Sequence, residues 1–462
     1  MILEEHLETT VKAHDQQLHR RVDLLLRTGK LLVESLADTN RIVRNMKRTA
    51  AYLGIPEEKL HINVSFTMLM VNVSDGGDYS FTKFQRIEGH GVNMTAISEV
   101  SKLSWRAIEN DYTLDQYEEE LEKIRKKKRN YTPWQVAIGA GFACGGFCIQ
   151  FGCDWVAFLY ASIAAILGMR LRQVCNESGL NHYMGIAISA FVATIIAWAS
   201  TLLPAEWTST PWHPLLACAL FIVPGVPLIN FVDDMLDNYI QVGIVRAVNT
   251  LLMVAAMAFG IAFAVKLCHI ENFFPTISMV PHHQYWEYAI AAAISAMGFS
   301  MIFNIQRRLL WVVAIGGIIA VCTRNFVNLG PSTDNIGLDM GLVIGSFSGA
   351  VLVSLIAIKA VHWFHVPNHV LTIPSVIPMI PGVLMYRMLF GIININVQSI
   401  DQVTPLMKAI ESGVNSGLVI MCIALGVAIP NIFGRRFIAS SKNKRLAELL
   451  KERKARGKFV EW

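Results

Sequence analysis

Charged residues are scarce in this chain, and their scarcity excludes an ordinary soluble protein. Only 16% of the 462 residues are Asp, Glu, Lys or Arg, whereas 53% are hydrophobic, and the mean hydropathy is +0.43. Soluble domains carry about 25% charged residues. The composition therefore predicts a polytopic α-helical membrane protein.

A second shortage is that of basic residues in the middle of the chain. Residues 1–130 contain 20 of the 40 Lys and Arg residues, residues 131–434 contain ten, and residues 435–462 contain ten. We interpret these ranges as a polar N-terminal domain, an apolar membrane body and a basic tail. The net charge of +5 lies where membrane topology puts it, so it does not indicate a nucleic-acid partner.

The sequence also lacks the patterns of secretion, metal binding and cofactor binding. The first residues have no basic start and no apolar run, so we expect no signal peptide. All eight cysteines lie in the apolar body, where the helical spacing of three of them favours packing over a disulfide framework. Pro367 interrupts any helix that would align His362, His365 and His369. We therefore predict neither a metal site nor a cofactor.

Residues 1–130 show alternating helix and strand patterns. An apolar–polar alternation over 61–71, a turn at 75–78 and a partner strand at 79–87 predict a hairpin. The region is expected to be a soluble α+β domain, and its sequence has no nucleophile elbow, phosphate-binding loop or zinc spacing. Its helices are predicted over 14–27, 34–53, 94–109 and 113–129.

The apolar body holds about ten segments long enough to cross a bilayer, which needs about 20 apolar residues per helix. Two of them, 154–170 and 308–323, are short enough to be half-spans. A basic block at 125–129 precedes the first segment and the basic tail follows the last. An even number of spans therefore places both termini on the cytoplasmic side. The segments are 133–152, 154–170, 184–203, 213–230, 239–267, 285–304, 308–323, 338–361, 366–391 and 405–432.

The two halves of the body resemble each other. Four short matches occur in the same order, and the offset between the copies grows from 152 to 166 residues. Five spans in each copy would give the copies opposite orientations. We therefore predict two inverted five-helix repeats, over 131–270 and 283–434, as in many secondary transporters. The matched pairs begin at Ala137 and Ala289, Met184 and Met340, Val223 and Ile380, and Val248 and Val414.

Each copy contains a Pro-Gly pair inside an apolar span, Pro224 with Gly225 and Pro381 with Gly382. Proline removes a backbone donor and clashes with the preceding turn, so both helices are expected to break. Backbone groups freed inside a bilayer must face protein or a water-filled cavity, as they do at transport sites. The alternative is a kinked helix that ends at the membrane surface.

Polar side chains near these breaks are the candidate site residues. A charge at the bilayer centre costs about 2.5–3.5 kcal/mol on insertion scales, so each charge needs a reason. Asp234 is the first candidate for a proton carrier and Glu411 is the second, and the matched amides of Asn249 and Asn415 could bind a polar substrate. Snorkelling is the alternative for the arginines, and helix packing for the amides. The full set is Asn230, Asp233, Asp234, Arg246, Asn249, Arg387, Glu411 and Asn415.

At these positions the sequence resembles the threonine/serine exporter (ThrE) family. The likeness covers nearly the whole chain, and the chain resembles the fused form of two halves that bacteria also encode separately. The most specific stretch is VPGVPLIN at 223–230, followed by Asp234, Gly243 and Arg246. The N-terminal domain resembles the family at 29–54 and 91–100, and the second half resembles the companion domain at 380–387, IPGVLMYR.

The resemblance implies proton-driven export of threonine and serine across the bacterial inner membrane. Some two-component relatives are associated with a small dicarboxylate such as succinate instead. Asp233 departs from the family pattern, because many members have a basic residue there, and it adds negative charge near the expected site. The expected partners are the small-molecule substrate, protons and lipid, and the sequence is also compatible with a homo-oligomer.

We therefore expect an exporter and not an enzyme. Two other classes of protein stay open at this stage. One is a membrane-tethered enzyme or sensor that acts through residues 1–130, and the other is a passive channel, which would not concentrate its substrate against a gradient.

Overall fold

The chain separates into two compact units in the computed structural model, which describes residues 2–74, 80–204, 206–270, 283–331, 336–393 and 403–456. The described residues of 1–128, 234–245 and 433–462 form the N-terminal unit. Those of 129–233 and 246–432 form the membrane unit. The turn predicted at 75–78 lies outside the described residues.

Helices and a small sheet build the N-terminal unit, which confirms the predicted α+β region. Asp38 begins the second helix, because its carboxylate accepts the backbone N–H of Arg41. Thr113 and Gln116 begin the fourth helix with a capping box. The helices are α1 Ile2–Glu34, α2 Thr39–Tyr52, α3 Met94–Glu109 and α4 Leu114–Lys126, with a 3-10 turn at Glu57–Lys59.

The second helix begins later than predicted. The sequence prediction started it at residue 34, whereas α1 continues to Glu34 and Leu36 then adopts a φ of 60°, in the left-handed region. The cap at Asp38 fixes the start of α2 at Thr39, since it satisfies an N–H group of the first turn.

Three antiparallel strands form one sheet in the order β1-β2-β3, with β1 Leu60–Val64, β2 Met68–Ser74 and β3 Ser80–Arg86. The prediction of one continuous strand over 61–71 is wrong. Ser65 turns the chain, because its backbone N–H and its hydroxyl both donate to the carbonyl of Met68. On β2, Leu69, Val71 and Val73 are buried, as the two-residue period of a half-buried strand requires.

The core of the N-terminal unit contains a fully buried tyrosine. The hydroxyl of Tyr117 lies 3.0 Å from the Thr28 hydroxyl and 3.2 Å from the Thr49 hydroxyl. Its ring stacks on Tyr52 at 5.1 Å. These contacts join α1, α2 and α4 around one polar group that would otherwise be costly to bury.

Twelve further helices lie at least partly in the membrane unit, among the residues that the structure describes. Caps at Thr132 and Asp154 begin the first two of them. The helices are α5 Pro133–Gln150, α6 Trp155–Glu177, α7 His182–Trp198, α8 Pro214–Ala217, α9 Gly225–Leu236, α10 Ile240–Leu267, α11 Tyr285–Ile302, α12 Leu310–Asn328, α13 Leu342–Phe364, α14 Asn368–Val376, α15 Gly382–Ile393 and α16 Val403–Ala455.

The chain is a multi-pass membrane protein with six to eight candidate spans among its described residues. Six helical stretches are long and apolar enough to cross a bilayer, and two bent helix pairs raise the number to eight. The segments that looked like half-spans are longer than predicted, at 23 residues for Trp155–Glu177 and 22 for Arg307–Asn328. A total of ten requires that α5 and α11, of 18 residues each, also cross.

The last helix is unusually long. It covers 53 residues as α16, and the candidate span Leu406–Gly434 takes up only its first part. The predicted basic tail is therefore a continuation of the last span as far as Ala455, and this continuation contributes to the N-terminal unit.

Candidate functional site

Both predicted breaks occur at the Pro-Gly pairs. The stretch Pro214–Ile222 meets α9 at an angle of 58°, and Asn368–Met379 meets α15 at 62°. Each first half ends in a 3-10 turn, at Leu220–Ile222 and at Ile377–Met379. Because proline has no N–H group, the helical hydrogen bonds cannot continue, and the chain extends for one residue before the next helix begins.

The two breaks have matching hydrogen bonds. The N–H of Gly225 donates to the Val223 carbonyl at 2.8 Å, and the N–H of Gly382 donates to the Ile380 carbonyl at 2.9 Å. The residues of the second break follow those of the first by 157 positions. The N-termini of α9 and α15, where helix dipoles are positive, therefore begin with the same backbone geometry.

The breaks also pack against each other in a reciprocal way. A Cβ atom at Gly225 would collide with Ile377, and a Cβ atom at Gly382 would collide with Leu220. Leu220 and Ile377 are 157 positions apart, and so are Gly225 and Gly382. The contact of Gly225 with Ile377 is therefore the counterpart of the contact of Gly382 with Leu220. A side chain at either glycine would therefore force the end of the Ile377 or the Leu220 side chain to move.

Helices α5 and α11 also contact each other through matching residues, which are 152 positions apart in the sequence. A Cβ atom at Gly139 would approach the Gly298 carbonyl, and a Cβ atom at Gly146 would approach the Ala291 carbonyl. The rings of Phe147 and its equivalent, 152 positions later, cross edge to face with centroids 5.8 Å apart. The contacts between these two helices are therefore reciprocal under the offset of 152.

A small apolar cavity of about 10 Å³ lies among the breaks and the two crossed phenylalanines. This is the minimum volume for a single water molecule, so this conformation has no room there for an amino acid. Its lining consists of Phe147, Leu220, Val223, Phe299, Ile377, Ile380 and Gly382, and the first six form three pairs related by the offsets 152 and 157.

Past the first break, α9 carries Asp233 to a buried polar cluster in the membrane unit. The carboxylate Oδ2 lies 3.8 Å from Nε2 of His369, and the two residues are 2% and 6% exposed. Asn431 of α16 places its amide nitrogen 3.3 Å from the same Nε2 atom. Asn368 donates to the carbonyl oxygen of Asn431. We call Asp233, His369, Asn368 and Asn431 the polar cluster.

The imidazole of His369 has two different polar neighbours at Nε2. The carbonyl oxygen of Asn431 accepts from Asn368, and its amide nitrogen also donates to the Val427 carbonyl at 3.0 Å. The second N–H of Asn431 faces Nε2 of His369 at 3.3 Å, and Asp233 lies 3.8 Å from the same atom. An unprotonated Nε2 can accept from Asn431, whereas a protonated Nε2 can donate to Asp233.

The structure gives the other predicted acids different positions. In the N-terminal unit, Asp234 accepts the backbone N–H of Thr39 at 2.8 Å, at the start of α2. Asp237 accepts from the Asn40 side chain at 2.7 Å. Asp234 thus binds one of the N–H groups that a helix start leaves free. Glu411 is exposed on α16.

The remaining predicted residues are dispersed. Asn249 accepts a hydrogen bond from Tyr183 at 2.7 Å, which joins α10 to α7, whereas Asn415 is exposed. Asn230 and Arg246 are buried in the membrane unit, at 2% and 3% exposure, and Arg387 is half-buried on α15. The pairing of Asp234 with Arg246 that the sequence suggested stays a prediction.

Sequence reasoning did not include His369, Asn368 or Asn431 among the transport residues. His369 and Asn431 lie 62 positions apart, so no local pattern joins them. One signal was present, since an asparagine directly after Pro430 inside an apolar span is expensive unless it has a polar partner.

Comparison with known proteins identifies two domains. Residues 23–268 match the ThrE model, described as "Putative threonine/serine exporter", and residues 288–433 match the ThrE_2 model, described as "Threonine/Serine exporter, ThrE". The two matched regions together cover both predicted halves of the chain. No solved structure matches the chain.

Curated bacterial proteins are similar to each part of the chain. The "Probable succinate transporter subunit YjjP" of Klebsiella aerogenes is 25% identical over 245 residues, which are 53% of this chain and 92% of that protein. The protein of the same name from Escherichia coli is 25% identical over 244 residues, 53% of this chain and 93% of that protein. The "Threonine/serine exporter" of Corynebacterium glutamicum is 21% identical over 389 residues, 81% of this chain and 76% of that protein.

Proposed function

This chain belongs to the threonine/serine exporter family of transporters, and from that premise we propose that it exports threonine and serine across the bacterial inner membrane, driven by the proton gradient. The observation that carries this proposal is the reciprocal packing of the two Pro-Gly breaks. Two half-helix N-termini that approach each other across a local two-fold axis are typical of secondary transporters.

The proposed architecture has ten spans in two inverted repeats, 131–270 and 283–434, with both termini in the cytoplasm. The paired contacts at the breaks and between α5 and α11 support this architecture. When a two-fold axis relates two copies, each contact from the first copy to the second has a counterpart from the second to the first. The apolar character and similar length of α5 and α11 support their inclusion as spans.

The proposed substrate site is the position of the apolar cavity between the breaks, near Pro224, Gly225, Pro381 and Gly382. The positive N-termini of α9 and α15 would bind the substrate carboxylate there. Separation of Phe147 from Phe299 would then enlarge the cavity for a substrate.

Proton coupling in this proposal uses Asp233 and His369. A proton on Nε2 of His369 would replace the hydrogen bond from Asn431 by an ion pair with Asp233, which lies 3.8 Å away. Because Asp233 belongs to α9, His369 to α14 and Asn431 to α16, the protonation state would change how both broken spans contact the last span. Asp234 would act at a distance, by fixing the end of α9 in the N-terminal unit.

The alternative substrate is a small dicarboxylate such as succinate. The similarity to the two succinate transporter subunits, across 53% of the chain, is the observation in its favour. Two half-helix N-termini offer one positive pole for each carboxylate of such a substrate. An amino acid would instead use one N-terminus for its carboxylate and carbonyl groups for its ammonium group.

Uptake into inside-out vesicles tests these proposals. Labelled threonine, serine and succinate are offered with and without an imposed proton gradient. Gradient-driven accumulation of threonine or serine supports the export proposal, and accumulation of succinate alone changes the substrate class. Accumulation of none of the three would contradict secondary transport of these substrates.

Asp233→Asn separates coupling from binding. We expect this variant to lose gradient-driven accumulation while it keeps exchange of labelled for unlabelled substrate, because an amide cannot release a proton. His369→Gln provides a second variant with the same expectation. Glu206→Gln, at an exposed acid between α7 and α8, is the matched control. Normal accumulation in Asp233→Asn would remove Asp233 from the coupling mechanism.

A further inference from the structure

A group of basic side chains in the N-terminal unit lies apart from the transport site. Arg41, Arg44 and Arg48 follow one another at the spacing i, i+3, i+7, which puts them along one side of α2. Lys442, in the continuation of α16 beyond the last span, interacts electrostatically with all three. We call these four residues the basic cluster.

Acidic residues form ion pairs with only some of the basic side chains of α2 and α16 in this region. Asp38 lies 2.9 Å from Nε of Arg41. The adjacent Lys47 is paired with Glu57 at 2.6 Å. Arg48 and Lys442 differ from these two, because neither forms an ion pair with a carboxylate among the residues that the structure describes.

Arg48 is held in place by neutral groups. Its Nη1 donates to the hydroxyl of Ser104 at 3.1 Å, and its guanidinium lies 4.3 Å from the ring centroid of Trp105. Burial, with the charges of Arg44 and Arg41 in addition, lowers the pKa of Arg48 to about 10. The side chain is therefore oriented by a hydrogen bond and by cation–π attraction but keeps an unneutralised charge.

The continuation of α16 reaches the same ring, because the guanidinium of Arg445 lies 6.0 Å from the ring centroid of Trp105. Lys442 precedes Arg445 by three positions, so it lies on the same side of this helix. The surrounding protein and then the charges of Arg48, Arg44 and Arg41 lower its pKa, although its side chain keeps contact with solvent. Like charges that are kept together cost free energy, and an anion bound between them would remove that cost. Lys442 follows the last residue of the candidate span, Gly434, by eight positions on the same helix.

We propose that Arg48 and Lys442 bind a phosphate group, which joins α2 to the continuation of α16. The planar guanidinium of Arg48 offers two parallel donors to a phosphate, and the Lys442 ammonium adds a point charge from the other helix. The headgroup of an anionic phospholipid and a soluble phosphate share this chemistry. The proposal does not depend on the identity of the exported substrate.

Binding is measured on the full chain in nanodiscs, by the thermal unfolding midpoint and by hydrogen exchange of α2. One series uses phosphatidylcholine nanodiscs and adds inorganic phosphate, with chloride at equal ionic strength as the reference. The other replaces part of the phosphatidylcholine by phosphatidylglycerol, without added phosphate. Stabilisation by inorganic phosphate identifies a soluble ligand, and stabilisation by phosphatidylglycerol alone identifies a lipid headgroup.

Variants show whether the stabilisation comes from the basic cluster. We expect Lys442→Gln to weaken the apparent affinity about tenfold, the usual effect of losing one charge-assisted contact, and Lys442→Arg to keep it. Lys444→Gln is the matched control, an exposed lysine on the same helix two positions later. Arg48→Lys keeps the charge but loses the bidentate geometry, so it should weaken binding less than Lys442→Gln.

Two results would overturn the proposal. One is that neither inorganic phosphate nor phosphatidylglycerol changes the unfolding midpoint or the exchange of α2. The other is that Lys444→Gln loses as much affinity as Lys442→Gln, since the attraction would then come from the general charge of the helix.

Discussion

Asp233 and Arg453 are both buried charged residues, yet their contacts differ. Arg453 is fixed by three contacts in the N-terminal unit: Nε lies 2.8 Å from Asp111, Nη1 donates to the Tyr52 carbonyl at 3.1 Å, and the guanidinium lies 4.9 Å from the Tyr52 ring. Asp233 lies 3.8 Å from Nε2 of His369. A charge held between a carboxylate and a carbonyl group stabilises a fold, whereas an acid beside an imidazole has a neighbour that can take up or release a proton.

Only part of this residue-scale picture could be predicted from the sequence. The sequence predicts Asn230, Asp233 and Asp234 as site residues because they follow a Pro-Gly pair inside an apolar span. The hydrogen bond of Asp234 with Thr39 depends on a tertiary contact across 195 positions. No local pattern contains such a contact.

Arg453→Gln tests the anchoring of the end of α16. We expect the substitution to cost about 2 kcal/mol, less than a typical broken buried pair because Asp111 keeps Arg456 at 3.0 Å. Hydrogen exchange of residues 446–456 should therefore become about 30-fold faster. Lys451→Gln, an exposed neighbour, is the control, and equal exchange in the two variants would contradict the anchoring role.

At the scale of elements, the sequence predicted where helices break better than where strands end. Proline acts through its own ring and its missing N–H group, and the helices break where Pro224 and Pro381 are each followed by glycine. Pro374 and Pro430, which no glycine follows, lie inside continuous helices. The division between β1 and β2 depends instead on the hydrogen bonds of Ser65 with Met68, and alternation continues across it. Periodicity alone could not place that turn.

Gly225→Ala tests the close approach of the two breaks. A methyl group there would collide with Ile377, so we expect the breaks to separate and the export rate to fall at least tenfold. Gly417→Ala is the matched control, because a Cβ atom at Gly417 meets nothing within 4 Å. Adding Ile377→Val to Gly225→Ala should restore part of the rate. Wild-type export by Gly225→Ala alone would show that the approach is not needed.

At the scale of the whole molecule, the composition predicted the membrane body and the separate polar region. What it could not predict is that the N-terminal unit also takes in residues 234–245 and 433–456. Their assignment follows from contacts such as those of Asp234 with Thr39 and of Arg453 with Asp111. The sequence prediction instead divides 234–245 between a loop and the span 239–267, and treats 435–462 as a separate tail.

Labelling of single cysteines in a background without the native ones tests the inverted repeat. Trp155 begins α6, and Arg308 lies two positions before α12. An inverted arrangement therefore puts the cysteines of Trp155→Cys and Arg308→Cys on opposite sides of the membrane. We expect a membrane-impermeant maleimide to label position 155 in intact cells and position 308 only in inside-out vesicles. Leu180→Cys, just past the other end of α6, should behave like position 308. Labelling of 155 and 308 from the same side would contradict the repeat.

The anchoring of the end of α16 also has a consequence for biosynthesis. Arg453 follows Asp111 by 342 positions, and at about 5–20 residues per second the ribosome needs roughly 17–70 s to reach it. During that interval the first domain to emerge lacks the last piece of its own surface. A chain that stops early would carry an exposed Asp111 and Tyr52, and quality-control proteases could distinguish it from a finished one.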